Sequence, residues 1–482
     1  MKHTQYITLL LGIVTISCNA QHSSVFWKYS TEGKIYAHPI IAGDRIYFGS
    51  MDSVFYALDI ESGEVIWSVR TNAPIQSTAC AHSKAVYLKS GNSAFALNQK
   101  NGAVIWSYID TSIQQTGKMD PWDFHSGSPV IYESLIYFGF QNGRLLGFNI
   151  KNGNIEKEIV YGDTVAIKSG LLINAGKLYF GGWNGKVYAY NIERDALEWI
   201  YNTYEEQAYP TFGQINTQLV IADDFLYFGS RNPEMQVIDI QTGKKAWSYI
   251  EPDGGWISGE VLVRDEILYI GGSDNHEMFA FDASTGKKRW TFEFLNNNFS
   301  KPLIYKDYLL FTTGDAYNVF GKGIGRGYLY ALNKEDGAIH QLEQIGGNMY
   351  SNIILDDGIV YLGNEDGTIY ALNLDHFLND SLGPVEKGYN ALESIELSPN
   401  PFSDSLAISF RLNREFELAV QIKNIADEPF MELSRERRAP GVYTLRWDGK
   451  DSTGNMVENG YYFVEIFAGL YVYKVLLQRQ SE

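Results

Sequence analysis

The chain has 482 residues, a formal net charge of −18, 33 Tyr and 46 Gly against 13 Pro. Such acidity makes nucleic acid and anionic membrane surfaces poor candidate partners. The aromatic, glycine-rich, proline-poor mix suits many short strands joined by tight turns, and the length allows two or three domains.

Residues 1–20 read as an export signal. Lys2 and His3 precede an apolar run, Ile7 to Ile16, too short to span a bilayer. Cys18-Asn19-Ala20 offers small residues for cleavage, so the mature chain is expected to begin at Gln21. Cys18 is also where a lipid-anchored form would carry its lipid; Thr15 stands where such signals usually carry Leu, and soluble export is preferred. Cys80 is then the only cysteine, so no internal disulfide framework is possible.

The phrase IYFGSMDSVFYALDIESGEVIW, Ile46 to Trp67, sets the pattern for residues 21–380. It returns from Val86, Leu178 and Leu268, and self-similarity of this length marks a repeat architecture. A marker position falls at Tyr47, Tyr87, Tyr137, Tyr179, Tyr227, Tyr269, Leu310 and Tyr361, spaced by 40, 50, 42, 48, 42, 41 and 51 residues. Ten residues before each marker stands a small residue: Ala37, Ser77, Gly127, Ser169, Thr217, Gly259, Ser300 and Ser351. Twelve before stands an apolar column, Ile35, Ile75, Ile167, Ile215, Ile257 and Met349, interrupted by His125 and Asn298. These columns add a strand before each marker. Four strands per unit in eight units predict an all-β, eight-bladed β-propeller.

Most units end in a tryptophan strand, with Trp67, Trp106, Trp199, Trp247 and Trp290. Units 3 and 7 carry Lys157 and Gln341 there and are expected to be less well anchored. Unit 8 lacks such a strand, whereas the mature N-terminus has an orphan one, VFWKYS with Trp27. Val25–Ser30 is therefore expected to complete the eighth blade and close the ring without a free edge.

The recurrent YAL-D/N-x-x-x-G-x-x-x-W phrase, from about Val25 to Asp380, resembles the quinoprotein-type (PQQ-like) repeat propellers. The resemblance implies the propeller fold. Its members include dehydrogenases that bind pyrroloquinoline quinone and non-enzymatic proteins such as an outer-membrane assembly lipoprotein, so fold alone does not choose a function. The alcohol-oxidising members cover their cofactor with a disulfide between adjacent cysteines, and Cys80 stands alone. They also need calcium held by carboxylate and amide oxygens, with an Asp as base. Glu260, Asn216 and Asp123 are of suitable type, but no spacing marks them out. No cofactor and no metal site are expected.

Residues 381–393 read as a linker, and 394–482 as a small β-sandwich of immunoglobulin type. Leu406, Ile408, Phe410 and Leu412 alternate along one strand face. SPNPF from Ser398, WDGKD from Trp447, NGYYF from Asn459 and KVLL from Lys474 resemble the C-terminal sorting domains of type IX secretion substrates and the related domain of flagellar hook-capping proteins. The resemblance implies export to the cell surface or beyond, with the type IX secretion machinery as a partner of this domain.

Other catalytic signatures are absent: no G-x-S-x-G elbow, no H-E-x-x-H and no glycine-rich loop opening a helix. GKGIGRG from Gly321 lies between two strands and reads as a loop with exposed cations. The expectation is a monomeric, non-enzymatic binding module at the cell surface or outside the cell, with a quinone-dependent dehydrogenase or a carbohydrate-binding or carbohydrate-active propeller as alternatives. Its working face follows from loop lengths. The turns between first and second and between third and fourth strands are uniform, so the variation falls on the opposite face. There Trp106 to His125 spans 19 residues, where Trp67 to Ile75 spans 8. Long loops on a rigid scaffold carry function. Trp122, Asp123, His125, Tyr209, Trp256, Asn298, Tyr317 and Arg326 are the expected contacts to a protein or glycan ligand, with Trp183 as a further exposed aromatic.

Overall fold

The structure is a computed structural model that describes residues 24–113, 122–204, 214–252, 254–294, 296–316, 325–379, 392–412, 416–424, 429–468 and 471–480. The chain divides into two compact units, the second made up mainly of Gly383–Glu482.

In the first unit the described residues form eight four-stranded antiparallel sheets, seven of them built from strands consecutive in sequence. The first sheet is Ile40–Ala42, Arg45–Gly49, Val54–Asp59 and Val65–Arg70. Its innermost strand has three residues and its marker, Tyr47, is fully buried, which is the layout of every later unit. The eighth sheet takes Ile354–Asp356, Ile359–Gly363 and Thr368–Asn373 from the end of the repeats and Val25–Ser30 from their beginning. Val25–Ser30 runs antiparallel to Thr368–Asn373, with Trp27 opposite Ala371 and Ser30 opposite Thr368.

Two contacts explain the repeated phrase. Each outer-strand indole lies on the glycine of the next unit's turn and donates its N–H to a carbonyl there. Trp67 donates to Gln99 at 2.9 Å, Trp106 to Ile150 at 3.1 Å, Trp247 to Ala283 at 2.9 Å, and Trp27 to Ile60 of the first sheet at 3.0 Å. The turn glycine has φ near +71° at Gly102, and a Cβ there would stand 2.7 Å from the Trp67 ring. Only glycine meets both demands. In the second contact, the Ile column presses on the glycine that ends the preceding unit's second strand. A Cβ on Gly139 would meet Ile167 at 2.5 Å, and one on Gly181 would meet Ile215 at 2.5 Å.

Units 3 and 7 are joined by polar substitutes. Lys157 pairs with Asp195, which stands in the turn where other units have glycine. Gln341 donates to the Phe377 carbonyl at 3.0 Å, and His340 bonds Leu378 O at 3.0 Å; both carbonyls belong to Leu374–Asn379, a short helix in the place of the turn. The indole is thus replaced together with its receptor. Lys157→Trp with Asp195→Gly is expected to raise the Tm, whereas Asp195→Gly alone lowers it; thermal melts of the three chains check this.

The second unit has a three-stranded sheet, Leu392–Ser398, Leu406–Leu412 and Gly441–Trp447, and a four-stranded one of Pro429–Arg438, Phe416–Asn424, Gly460–Ala468 and Tyr471–Arg479. Leu406, Ile408, Phe410 and Leu412 enter its core, as their alternation predicts, beside Leu418, Val420 and Ile466. Trp447 is the largest core residue, ringed by Phe402, Phe430 and Tyr462 at centroid distances of 5.2–6.1 Å.

Candidate functional site

The long segment between the second and third sheets ends in Trp122-Asp123-Phe124-His125, which touches six other units. Phe124 stacks on Tyr350 at 4.2 Å and meets Tyr36 and Phe299 at 5.3 and 5.4 Å. Asp123 pairs with Lys168 at 2.7 Å, and the Asp123 and Phe124 carbonyls accept from Gln76 Nε2. Trp122 meets Trp256 edge-on at 6.4 Å. His125 Nε2 bonds Tyr350 O at 2.9 Å, and its ring lies 4.6 Å from His38. Four consecutive residues reach that many sheets only where all of them converge. The segment therefore plugs the axis of the ring, and its aromatic part is a buried cluster of Tyr36, Phe124, Phe299, Ala316 and Tyr350.

Beside the plug lies a polar knot. His38 Nδ1 accepts from the Asn352 backbone N–H at 2.8 Å, so His38 carries its proton on Nε2 and presents it to Glu260 Oε1 at 3.1 Å. The Asn352 side chain donates to Glu260 Oε2 at 2.6 Å and accepts from Lys301 N at 2.6 Å. Burial pushes the Glu260 carboxyl up, but the imidazole of His38, then His125 and the Asn352 amide, outweigh it and hold the group at about 2.

The second knot involves Lys89, near the end of Ala85–Ser90, at a position where six of the other units have glycine and the seventh unit has Thr312. Its column partner changes with it, from Ile to His125. Lys89 Nζ donates to Gly139 O at 2.6 Å. Burial and the nearby Lys168 push it down to about 7, against an opposing pull from Asp123. An unfolded lysine keeps its proton to about 10.4, so between those values the unfolded chain binds the extra proton and stability rises with pH. Lys89→Met is expected to flatten that rise, as read by denaturant titrations at pH 7 and pH 9.5.

The expected contact residues fall into three groups. Asp123, His125 and Asn298 are 0, 7 and 0% exposed and engaged internally, Asn298 through Thr312 O at 2.8 Å and Ser300 Oγ at 3.2 Å. Trp122 and Trp256 are half-buried and in contact with each other, and Arg326 is exposed, its carbonyl accepting from Asn296 Nδ2. Tyr209 and Tyr317 lie outside the described residues. Sequence reasoning missed His38, Asn352, Lys89, Lys168 and Arg231. Each follows a repeat column that is otherwise unremarkable, and only convergence on the axis or on one face gives it a partner. The one available signal is a lysine in a column that is glycine in six units.

The profile of the family described as outer membrane protein assembly factor BamB matches residues 15–249. These repeats are BamB-like. Among curated proteins, the outer membrane protein assembly factor BamB of Yersinia pestis is 23% identical over 171 residues, 34% of this chain and 42% of the relative. The matched region thus spans about two fifths of that relative's length. Among solved structures, BamB from Moraxella catarrhalis matches with a TM-score of 0.56 and 15% identity, covering 73% of this chain and 98% of that one. The quinohemoprotein alcohol dehydrogenase from Comamonas testosteroni matches with a TM-score of 0.58 and 12% identity over 80% of each chain. A europium-containing methanol dehydrogenase matches with a TM-score of 0.56 and 13% identity, over 71% of this chain and 87% of that one. At these identities the structural likeness speaks for the propeller fold alone.

The quinoprotein resemblance implies a quinone with a metal held by free carboxylate and amide oxygens, and the residues present do not fit that group. Asp123 is committed to Lys168, and Glu260 to His38 and Asn352. Beside these pairs the axis is filled by Phe124 against Tyr36, Phe299 and Tyr350. No reaction step through such a group follows from this arrangement.

Proposed function

We propose that the chain is an exported, non-enzymatic protein-binding module: an eight-bladed propeller that engages its partner through the long-loop face, followed by an immunoglobulin-like sorting domain. One observation carries the reading. The axis is closed by residues 122–125, and the axial carboxylates are paired internally, which leaves the rim of loops around the plug as the surface for recognition. The BamB likeness supports a protein as the ligand class. Trp122, Trp256 and Arg326, with Tyr209 and Tyr317, are the proposed contacts, and Asp123, His125 and Asn298 act beneath them by fixing the loops. The three-stranded and four-stranded sheets around Trp447 support the sandwich reading of the C-terminal unit, whose proposed role is sorting to the cell surface or outside the cell.

The test is photo-crosslinking in the native host. A benzophenone side chain at Glu32 or Asn296, on the long-loop face, is expected to capture a protein. The same group at Asp44 or Glu61, on the short-turn face, is not. Capture confined to the short-turn face would refute the assignment, as would turnover of a quinone-coupled dye by protein from the native host. A chain ending at residue 380 that still reaches the exterior at normal levels would remove the sorting role.

A further inference from the structure

The chain has ten tryptophans, and seven are accounted for by packing. Trp27, Trp67, Trp106, Trp199, Trp247 and Trp290 dock successive sheets through indole N–H bonds, and Trp447 fills the core of the C-terminal unit. The remaining three, Trp122, Trp183 and Trp256, come from the third, fourth and sixth units and meet at one spot on the long-loop face. Trp122 lies edge-on to Trp256 at 6.4 Å. The Arg231 guanidinium, from the fifth unit, sits 4.7 Å from the Trp183 centroid and 5.7 Å from that of Trp256. All three indoles are half-buried, whereas Arg231 is 4% exposed.

The backbone holds this arrangement in place. Trp183 N donates to Ala166 O at 2.9 Å, and Ser273 N donates to Trp256 O at 2.8 Å. Gly255, at φ +89°, turns the chain into Trp256. Trp122 also rests on the buried aromatic plug. Three large apolar side chains are thus kept at a wet surface, rigid before any partner arrives. Pre-ordered indoles lose little entropy on binding, and interface hot spots are enriched in Trp and Arg.

We propose that Trp122, Trp183 and Trp256 form a single docking patch for an extended segment of a protein partner, apolar at its anchor and flanked by Lys or Arg. The inference rests on the reading that the long-loop face is the working face. The occupied indole faces select a protein over a glycan. Pyranose stacking needs an open face, but the guanidinium covers one face of both Trp183 and Trp256, and Trp122 closes on Trp256 from the side. With one face of each taken and the rings half-buried, what remains accessible is a limited apolar surface, suited to an aliphatic or aromatic side chain. The basic flanks follow from the rim. Asp274, exposed, lies near Arg231 and accepts from the Trp256 backbone, and Asp315 lies near His276, whereas Asp163 beside Trp183 is already paired with Lys186.

The test is to pan a phage-displayed library of random dodecapeptides on the full-length chain. Enriched peptides are expected to share a bulky apolar residue with Lys or Arg within a few positions, and to bind more weakly as salt rises. Trp183→Ala and Trp256→Ala should each weaken them by about 30-fold or more. Trp183→Phe and Trp256→Phe serve if the alanine forms melt early. No enrichment, or equal binding to the variants, overturns the proposal, and so does glycan-array binding that the same variants abolish. Peptides that depend on Lys34 and Arg70 instead of the tryptophans overturn the patch while leaving the long-loop face in place. Peptides lost only on short-turn substitutions overturn both.

Discussion

A chain that begins at Thr31 is expected to melt far below one that retains Val25–Ser30. The missing strand supplies the outer edge of the eighth sheet and its docking indole. Trp27 covers Gly63 so closely that a Cβ there would stand 2.6 Å from the ring, and it meets Tyr361 at 5.7 Å. Removing a packed tryptophan alone costs about 3–5 kcal/mol. Truncation also bares the edge of Thr368–Asn373 and removes the bonds from Thr31 N and Oγ1 to Gly367 O if the new terminus frays. Trp27→Ala in the full chain should recover only part of the loss. A peptide of residues 24–33 added to the truncated protein should restore much of the Tm. Unchanged melting after truncation would mean that Val25–Ser30 is not part of the cooperative structure.

The second large effect is expected at Glu260. Glu260→Ala leaves His38 Nε2–H and the Asn352 amide facing an empty site on the axis, and each buried donor left unsatisfied costs about 1–3 kcal/mol. The charge also sets an acid limb. Because the folded carboxyl is held at about 2, its contribution is fully present above the unfolded value of about 4.3 and is lost as the pH falls from there towards 2. Glu260→Gln, which keeps the shape and loses the charge, should cost less at pH 7 and flatten that limb. Denaturation curves at pH 7 and pH 3 separate the two; an acid limb unchanged in Glu260→Gln would show that the carboxyl does not supply it.

The repeating parts of this fold were legible because they answer to local rules. The Tyr marker, the small column and the Ile column each report one recurring contact, and the docking indole reports its glycine. The orphan strand VFWKYS was legible for the same reason, since it carries a recurring phrase without the rest of a unit. The candidate site was readable only in outline. Loop length pointed to the stretch that contains Trp122 to His125, and the broken Ile column pointed to His125 and Asn298. Neither signal could say that Asp123 would meet Lys168, or His125 would lie against His38, because those partners are 45 and 87 residues away and belong to other sheets. At units 3 and 7 the sequence displays only one side of the contact. Lys157 reads as a lost tryptophan until Asp195 is seen in the receiving turn.

The closure by Val25–Ser30 also governs the order in which this protein can be made. Ser30 bonds Thr368, 338 residues further along the chain. Emerging from the N-terminal end, the first strand must wait through seven complete units before its neighbour exists. During that wait it is an unprotected β segment with an exposed Phe26 beside Trp27, the kind of segment that strays into wrong pairings. The last repeat is therefore a checkpoint for the whole ring: a chain cut short anywhere before Thr368 keeps both ends open to proteases, and only one that extends through Asn373 can seal itself.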